Sequence, residues 1–221
     1  MFIGHFGVGL GAKRVDGKIS LGTLFLASQF IDLLWPFFLL FGLETVKIEP
    51  GNTAFTPLNF ISYPYSHSFL GVLFWAILFG AIYFAFRKNI RSALLLGGLV
   101  ISHWILDLIT HRPDLSLIPW FDLKVGFGLW NSVLLTILIE GLIFGAGSYF
   151  YIRATKAGNK KGVLGLWGLL IFLVTIYFMN IFGSPPPSEE AIAYVGMFQW
   201  LLVGWGYWID RNRFGTKQER A

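Results

Sequence analysis

Long apolar runs, separated by charged and turn-forming residues, dominate the pattern of the chain. The six runs cover residues 21–43, 68–86, 92–110, 129–152, 163–182 and 191–209. About 20 mainly apolar residues are enough for a helix to cross the hydrocarbon core of a membrane, so each run predicts one spanning helix. A shorter apolar stretch, residues 1–12, predicts a half-helix that dips into the membrane, with an interfacial anchor as the alternative.

The composition points to an integral membrane protein. Of the 221 residues, 55% are hydrophobic and only 13% are charged, and the mean hydropathy is +0.65. The predicted fold is therefore an all-α, polytopic membrane helical bundle. One domain is predicted over residues 1–221, because no linker or internal repeat divides the chain. Cysteine is absent, so neither disulfides nor thiolate ligands enter the prediction.

Basic residues are distributed unevenly between the loops on the two sides of the membrane. Of the 17 Lys and Arg residues, only Lys47, Arg112 and Lys124 fall in the loops after spans one and three. The other 14 precede span one, follow span six or lie in alternate loops, and they include Lys217 and Arg220. Because Lys and Arg concentrate in cytoplasmic loops, both termini are predicted in the cytoplasm, with the protein in a bacterial inner membrane. The net charge of +5 then faces anionic lipid and does not predict nucleic-acid binding.

Span three carries three potential metal ligands at intervals of four residues, namely His103, Asp107 and His111. Residues four apart share one face of a helix. With a rise of about 1.5 Å per residue, the two histidines lie about 12 Å apart, too far to bind one ion, whereas Asp107 can reach either position. We interpret Asp107 as a carboxylate shared between two metal positions. Polar contacts between helices are the alternative interpretation.

Three carboxylates lie inside predicted spans that contain no Lys or Arg. They are Asp32, Asp107 and Glu140. An ionised carboxylate at that depth is unfavourable unless a cation meets it. All the histidines of the chain occur where they could face these acids: His5, His67, His103 and His111. Imidazole and carboxylate ligands suit zinc, with manganese or iron as alternatives, whereas protonated carboxylates would suit an ion-coupled transporter.

These side chains predict two or three metal positions within residues 1–152, the metal-site half, whereas residues 153–221 are predicted to be scaffold helices. The first position would use Asp32, His67, His103 and Asp107. The second would use Asp107, His5 and the Met1 amine, and the third His111 and Glu140. Such a cluster would activate water and clamp the oxygens of a phosphate ester, while Asp32 or Glu140 handles a proton.

The order of these ligands resembles a bacterial family of membrane-bound metal-dependent hydrolases, whose best-known relatives are inner-membrane proteins under the SOS repressor. More distantly, it is similar to the zinc-dependent phospholipase C and single-strand nuclease superfamily. The matching positions are Met1, His5, Asp32, His67, His103 with Asp107, His111, and Glu140. Thr136 stands four residues before Glu140, where that superfamily has a histidine.

The expected function is hydrolysis of a phosphate ester in a lipid or lipid-linked substrate by metal-activated water. The expected partner is a lipid-like or phosphorylated small molecule in the bilayer, because a nucleic-acid strand could hardly reach a site inside the membrane. Two alternatives remain open. A proton- or ion-coupled transporter would need a polar path to both faces, and a noncatalytic scaffold would hold a closed structural metal site. No oligomeric state is predicted.

Overall fold

A computed structural model describes residues 1–216, most of which are helical. The helices are α1 (Ile3–Ala12), α2 (Leu21–Ser28), α3 (Phe30–Leu40), α4 (Phe69–Arg87), α5 (Ile90–Thr110), α6 (Val133–Ala154), α7 (Lys160–Phe182), α8 (Glu189–Met197) and α9 (Gln199–Asp210). The strands form antiparallel pairs, β1 (Thr45–Ile48) with β2 (Leu58–Ser62), β3 (Leu115–Ser116) with β4 (Lys124–Val125), and β5 (Thr155–Ala157) with β6 (Arg213–Gly215). The all-α membrane bundle is confirmed. Lys217 and Arg220 lie outside the described residues.

Four helices of the described chain are long and apolar enough to cross a membrane: α4, α5, α6 and α7. The pair α2 and α3 would make a fifth span, but it bends by 56°. The predicted span 21–43 is therefore broken at Gln29, and the predicted span 191–209 is divided at Phe198 into α8 and α9. These two breaks correct the prediction of six continuous spans.

The two broken segments pack against each other, α2 along α9 and α3 along α8. Small residues allow this close approach. A Cβ atom at Gly196 of α8, for example, would lie 2.7 Å from Cγ of Pro36 in α3. After α9, β6 pairs with β5, which lies between α6 and α7. The helices α8 and α9 together thus return the chain to the side of the α6–α7 connection.

The N-terminal helix α1 is inserted into the bundle, as predicted for a half-helix. Phe6 and Leu10 are fully buried, and His5 is 1% exposed. The helix packs chiefly along α6, where a Cβ atom at Gly7 would lie 2.7 Å from Cα of Phe144. The alternative of an interfacial anchor is wrong, because His5 is surrounded by protein.

The segment from residue 44 to the start of α4 contains the hairpin β1–β2. A second short pairing, β3–β4, follows α5, and Leu70 at the start of α4 donates its N–H to the carbonyl of Leu117. Both pairings cover the same end of the bundle, which we call the hairpin end. The histidines and carboxylates described next lie beneath it.

Candidate metal centre

Four donor atoms converge between α3, α5 and the residue that precedes the N-cap of α4. The Nε2 atom of His67 lies 3.4 Å from Oδ1 of Asp32 and 3.8 Å from Oδ2 of Asp107. The Nε2 atom of His103 lies 3.5 Å and 3.2 Å from the same two oxygens. A tetrahedral zinc ion with ligands at about 2.0–2.1 Å separates neighbouring donors by about 3.3 Å. These four His–carboxylate distances are close to that value, and the donor atoms of Asp32, His67 and His103 all lie within 4.8 Å of one another.

The break between α2 and α3 positions two of these donors. Asp32 lies in the first turn of α3, where the helix dipole favours a carboxylate. Ser28 is the last residue of α2, and its carbonyl accepts a hydrogen bond from Nδ1 of His103 at 2.9 Å. His103 therefore carries a proton on Nδ1 and turns Nε2 toward the carboxylates. Within residues 1–216, that Nε2 atom has no hydrogen-bond partner.

His67 is held by a second hydrogen-bonded chain, which begins at Glu44. The Nδ1 atom of His67 lies 2.7 Å from Oγ of Ser66, and the Ser66 hydroxyl donates to Oε2 of Glu44 at 2.6 Å. Oε1 of Glu44 accepts the N–H groups of Tyr65 and Ser66, both at 2.8 Å. Burial raises the pKa of the Glu44 carboxyl, whereas His67 and these hydrogen bonds act in the opposite direction.

Sequence reasoning missed Glu44. The only signal was its place at the start of the loop that ends in Ser66 and His67. Nothing in the sequence shows that the hairpin β1–β2 brings the two ends of this loop together.

A second group of donors shares two residues with the first. Donor atoms of His5, His103 and Asp107 lie within 4.8 Å of one another. Nε2 of His5 is 3.1 Å from Oδ1 of Asp107, and the rings of His5 and His103 are stacked with centroids 3.7 Å apart. The Met1 amino nitrogen lies 2.5 Å from the same Oδ1. Asp107 thus presents one oxygen to each group, which is the arrangement expected of a bridging carboxylate.

The structure does not bring the remaining predicted ligands into this cluster. Among the residues it describes, neither Glu140 nor His111 belongs to either group of converging donors. Oε2 of Glu140 accepts the backbone N–H groups of Phe2 and Gly4 at 2.9 Å and 3.2 Å, so this side chain caps α1. In residues 1–216, His111 and Glu140 thus belong to separate hydrogen-bonded networks, and neither is part of a group of three or more converging donors.

His111 belongs to a neighbouring network around Asp114. Oδ1 of Asp114 lies 2.9 Å from Nδ1 of His111 and accepts the hydroxyl of Tyr63 at 2.6 Å. Burial and the Asp114 carboxylate raise the pKa of Tyr63 well above its ordinary value. Burial lowers the pKa of His111, although Asp114 opposes this shift. The ring of Tyr63 also contacts the ring of His67, with centroids 5.2 Å apart, so the network borders the first donor group.

Two grooves open at the hairpin end and share a wall made of Pro64, Trp120 and Phe121. The smaller, about 210 Å³, is polar, with Tyr63 and Lys124 among its lining residues. The larger, about 640 Å³, is almost entirely apolar and is lined by the first turns of α4 and the end of α3. Because Tyr63 also contacts His67, the polar groove lies next to the donor cluster.

The fold and this cluster define a class of protein, namely multi-pass helical membrane proteins with a buried group of histidines and carboxylates. A family model described as "YdjM inner membrane protein" matches residues 57–184. The chain belongs to the YdjM inner membrane protein family, and it is a multi-pass inner membrane protein. Neither the curated proteins nor the solved structures compared with the chain give a match. The matched residues include His67, His103 and Asp107, whereas His5 and Asp32 precede them.

Proposed function

We propose that this protein is a membrane-embedded, metal-dependent hydrolase that cleaves a phosphate ester in a lipid or lipid-linked substrate. The observation that carries the proposal is the convergence of Asp32, His67 and His103, whose donor atoms lie within 4.8 Å of one another, because three protein ligands leave the fourth position of a tetrahedral zinc ion for water. In the described part of the chain, no Lys or Arg side chain forms an ion pair with Asp32 or Asp107. The Met1 amine meets Oδ1 of Asp107 at 2.5 Å, and a divalent cation would balance the remaining negative charge of the two carboxylates.

Zinc fits the donor set better than manganese or iron, because two imidazoles and one carboxylate suit a four-coordinate ion whose fourth position is left to water. His5 and Oδ1 of Asp107 would take part in a second metal position, with the Met1 amine as a further ligand. Bound zinc supplies Lewis-acid stabilisation of phosphoryl oxygens and lowers the pKa of water.

The side chains of the cluster suit different tasks. Asp107, His67 and His103 have side chains that are 0–4% exposed, whereas the side chain of Asp32 is 22% exposed. A substrate would therefore approach from the side of Asp32, which could also accept a proton. Oε1 of Glu140 is a buried carboxylate oxygen without a hydrogen-bond partner in residues 1–216, and it could hold a proton on the other side.

The grooves at the hairpin end support a lipid as the substrate. The apolar groove is formed partly by α4, a helix long and apolar enough to cross a membrane, so its natural occupant is an acyl chain. The polar groove shares a wall with it and contains Lys124, whose amine lies 3.9 Å from Asp122, so a phosphate would have to replace this aspartate as its partner. Pro64 lines both grooves and lies three residues before His67.

We also propose that both termini lie in the cytoplasm, which places the hairpin end on the outer side of the inner membrane. Support comes from the distribution of basic residues, because within residues 1–216 only Lys47, Arg112 and Lys124 lie on the hairpin side. The substrate would then enter from the outer leaflet.

The test is a metal analysis of purified protein followed by an activity screen. Wild type should contain stoichiometric zinc, His103→Ala and Asp107→Ala should lose it, and His111→Ala should keep it as a matched control outside the donor groups. The zinc-loaded protein should then hydrolyse a lipid phosphate ester, and His103→Ala should not. Wild type without metal, or equal metal in all four proteins, would overturn the proposal.

An ion-coupled transporter is the second candidate, and one observation favours it. Discontinuous helices in transporters often coordinate ions, and Asp32 lies just after the break between α2 and α3. Reconstituted vesicles distinguish the two functions. A transporter should carry protons or metal ions down a gradient with a dependence on Asp32, whereas the hydrolase should release phosphate-containing product without any gradient.

A further inference from the structure

Glu44 and Ser66 lie outside the donor cluster, but their hydrogen bonds lead to one of its members, His67. We propose that Glu44, acting through Ser66, is a positioning residue that fixes the tautomer of His67, so that the Nε2 lone pair faces Asp32 and Asp107. The effect on metal binding rests on the proposed function, whereas the choice of tautomer does not.

The hydrogen-bond donors and acceptors between Glu44 and His67 fix the position of each proton. The two oxygens of Glu44 accept three hydrogen bonds, and one of them uses the only hydrogen of the Ser66 hydroxyl. Oγ of Ser66 therefore has only lone pairs left for the ring of His67, 2.7 Å away. It follows that Nδ1 of His67 carries the proton and donates it to Ser66.

This tautomer is unfavourable unless a cation is present. Nε2 of His67 faces carboxylate oxygens of Asp32 and Asp107 at 3.4 Å and 3.8 Å. Without a cation between them, carboxylates that face an imidazole nitrogen favour a proton on that nitrogen. The hydrogen bonds from Glu44 through Ser66 oppose this preference, because they hold the proton of His67 on Nδ1. A lone pair aimed between two carboxylates is the arrangement that a metal ion requires.

The substitution Glu44→Gln should reverse the tautomer with little change in shape. The backbone N–H groups of Tyr65 and Ser66 both require an acceptor, so the amide oxygen takes the place of Oε1. The amide NH₂ then takes the place of Oε2 and donates to Ser66. The Ser66 hydrogen turns toward His67, whose Nδ1 becomes an acceptor and whose proton moves to Nε2.

Nitrogen-15 NMR of histidine-labelled, metal-free protein measures directly which ring nitrogen of His67 carries the proton. The chain has four histidines, and a His67→Gln sample assigns the signal of His67. In wild type Nδ1 of His67 should be protonated, whether the ring is neutral or cationic, and in Glu44→Gln it should not be. The control is Glu49→Gln, because Glu49 belongs to the same loop but accepts from Asn59. The same Nδ1 state in wild type and Glu44→Gln would overturn the proposal.

Zinc affinity gives a second readout. Glu44→Gln should lower it by about 10- to 100-fold, the range typical of residues that orient metal ligands. Ser66→Ala should lower it less, because His67 can then place its proton on either nitrogen. A purely structural role for Glu44 predicts that Glu44→Gln and Ser66→Ala lose thermal stability in proportion to their loss of zinc affinity, with no change of tautomer. If the tautomer changes but wild type binds no metal, the proposed function fails and the positioning role stands.

Discussion

The Nδ1 atom of His103 lies 2.9 Å from the backbone carbonyl oxygen of Ser28, the last residue of α2. A helix that continued through this point would use that carbonyl in its own hydrogen-bond ladder. The break in the span therefore supplies the acceptor that orients His103, and the same break places Asp32 in the first turn of α3. The break between α2 and α3 thus positions two members of the donor cluster, His103 and Asp32.

The number of bound ions should depend on whether the ligand that is replaced is shared between the two positions. We expect Asp107→Asn to reduce the metal content for both positions, because Oδ1 of Asp107 faces Met1 and His5 whereas Oδ2 faces His67 and His103. His5→Gln should reduce only one position. Elemental analysis per chain measures this, with Asp114→Asn as a buried carboxylate control outside the groups. Loss of all metal in His5→Gln would contradict the assignment of two positions.

Removal of metal should destabilise the folded protein. A ligand that binds only the native state at a thousand times its Kd stabilises it by about 4 kcal/mol. We therefore expect a chelator to lower the Tm of wild type in detergent, and added zinc to restore it. His103→Ala should show no response to the chelator. An equal response in both proteins would show that the chelator acts elsewhere.

The contact between α1 and α6 should tolerate no side chain at Gly147. A Cβ atom at this position would overlap the carbonyl group of Gly7, whereas one at Gly145 would meet nothing within 4 Å. We expect Gly147→Ala to destabilise the protein by about 1–3 kcal/mol or more and Gly145→Ala to be neutral. Thermal unfolding of the two variants measures the difference. Equal stability would mean that α1 does not pack here.

A buried ion pair should hold the end of α1 to the end of α9. Nζ of Lys13 lies 3.0 Å from Asp210 and donates to the carbonyl of Ile19 at 2.7 Å. Removing one partner leaves the other charge buried and unpaired, so we expect Lys13→Ala to cost about 3 kcal/mol of stability. Lys18→Ala, at an exposed lysine nearby, is the control. Similar unfolding curves for both variants would show that the pair contributes little.

The orientation can be tested by labelling single cysteines, because the natural chain contains none. Lys47 in β1 and Arg87 at the end of α4 are both exposed. With both termini in the cytoplasm, Lys47→Cys should react with a membrane-impermeant maleimide in intact cells. Arg87→Cys should react only after the cells are opened. The reverse pattern would show that the hairpin end faces the cytoplasm.

The sequence indicated the all-α bundle, because the length of an apolar run is a property of one segment. It also indicated the candidate site residues, because an acid without a Lys or Arg in the same span is visible in one segment. It did not indicate the breaks at Gln29 and Phe198, since both interrupt apolar runs without a charge. The break at Gln29 depends on neighbours, because α3 packs along α8 and the carbonyl of Ser28 meets His103.

By itself, the sequence determined that several acids and histidines would lie among apolar helices with few cations at their depth. Only the tertiary structure decided how they are grouped. It brought His5, Asp32 and His67 to the pair in α5, assigned Glu140 to the cap of α1, and joined Glu44 to His67. The physical reason is that the polarity of a segment follows from its own residues, whereas a distance of 3–4 Å between donors depends on how separate helices pack.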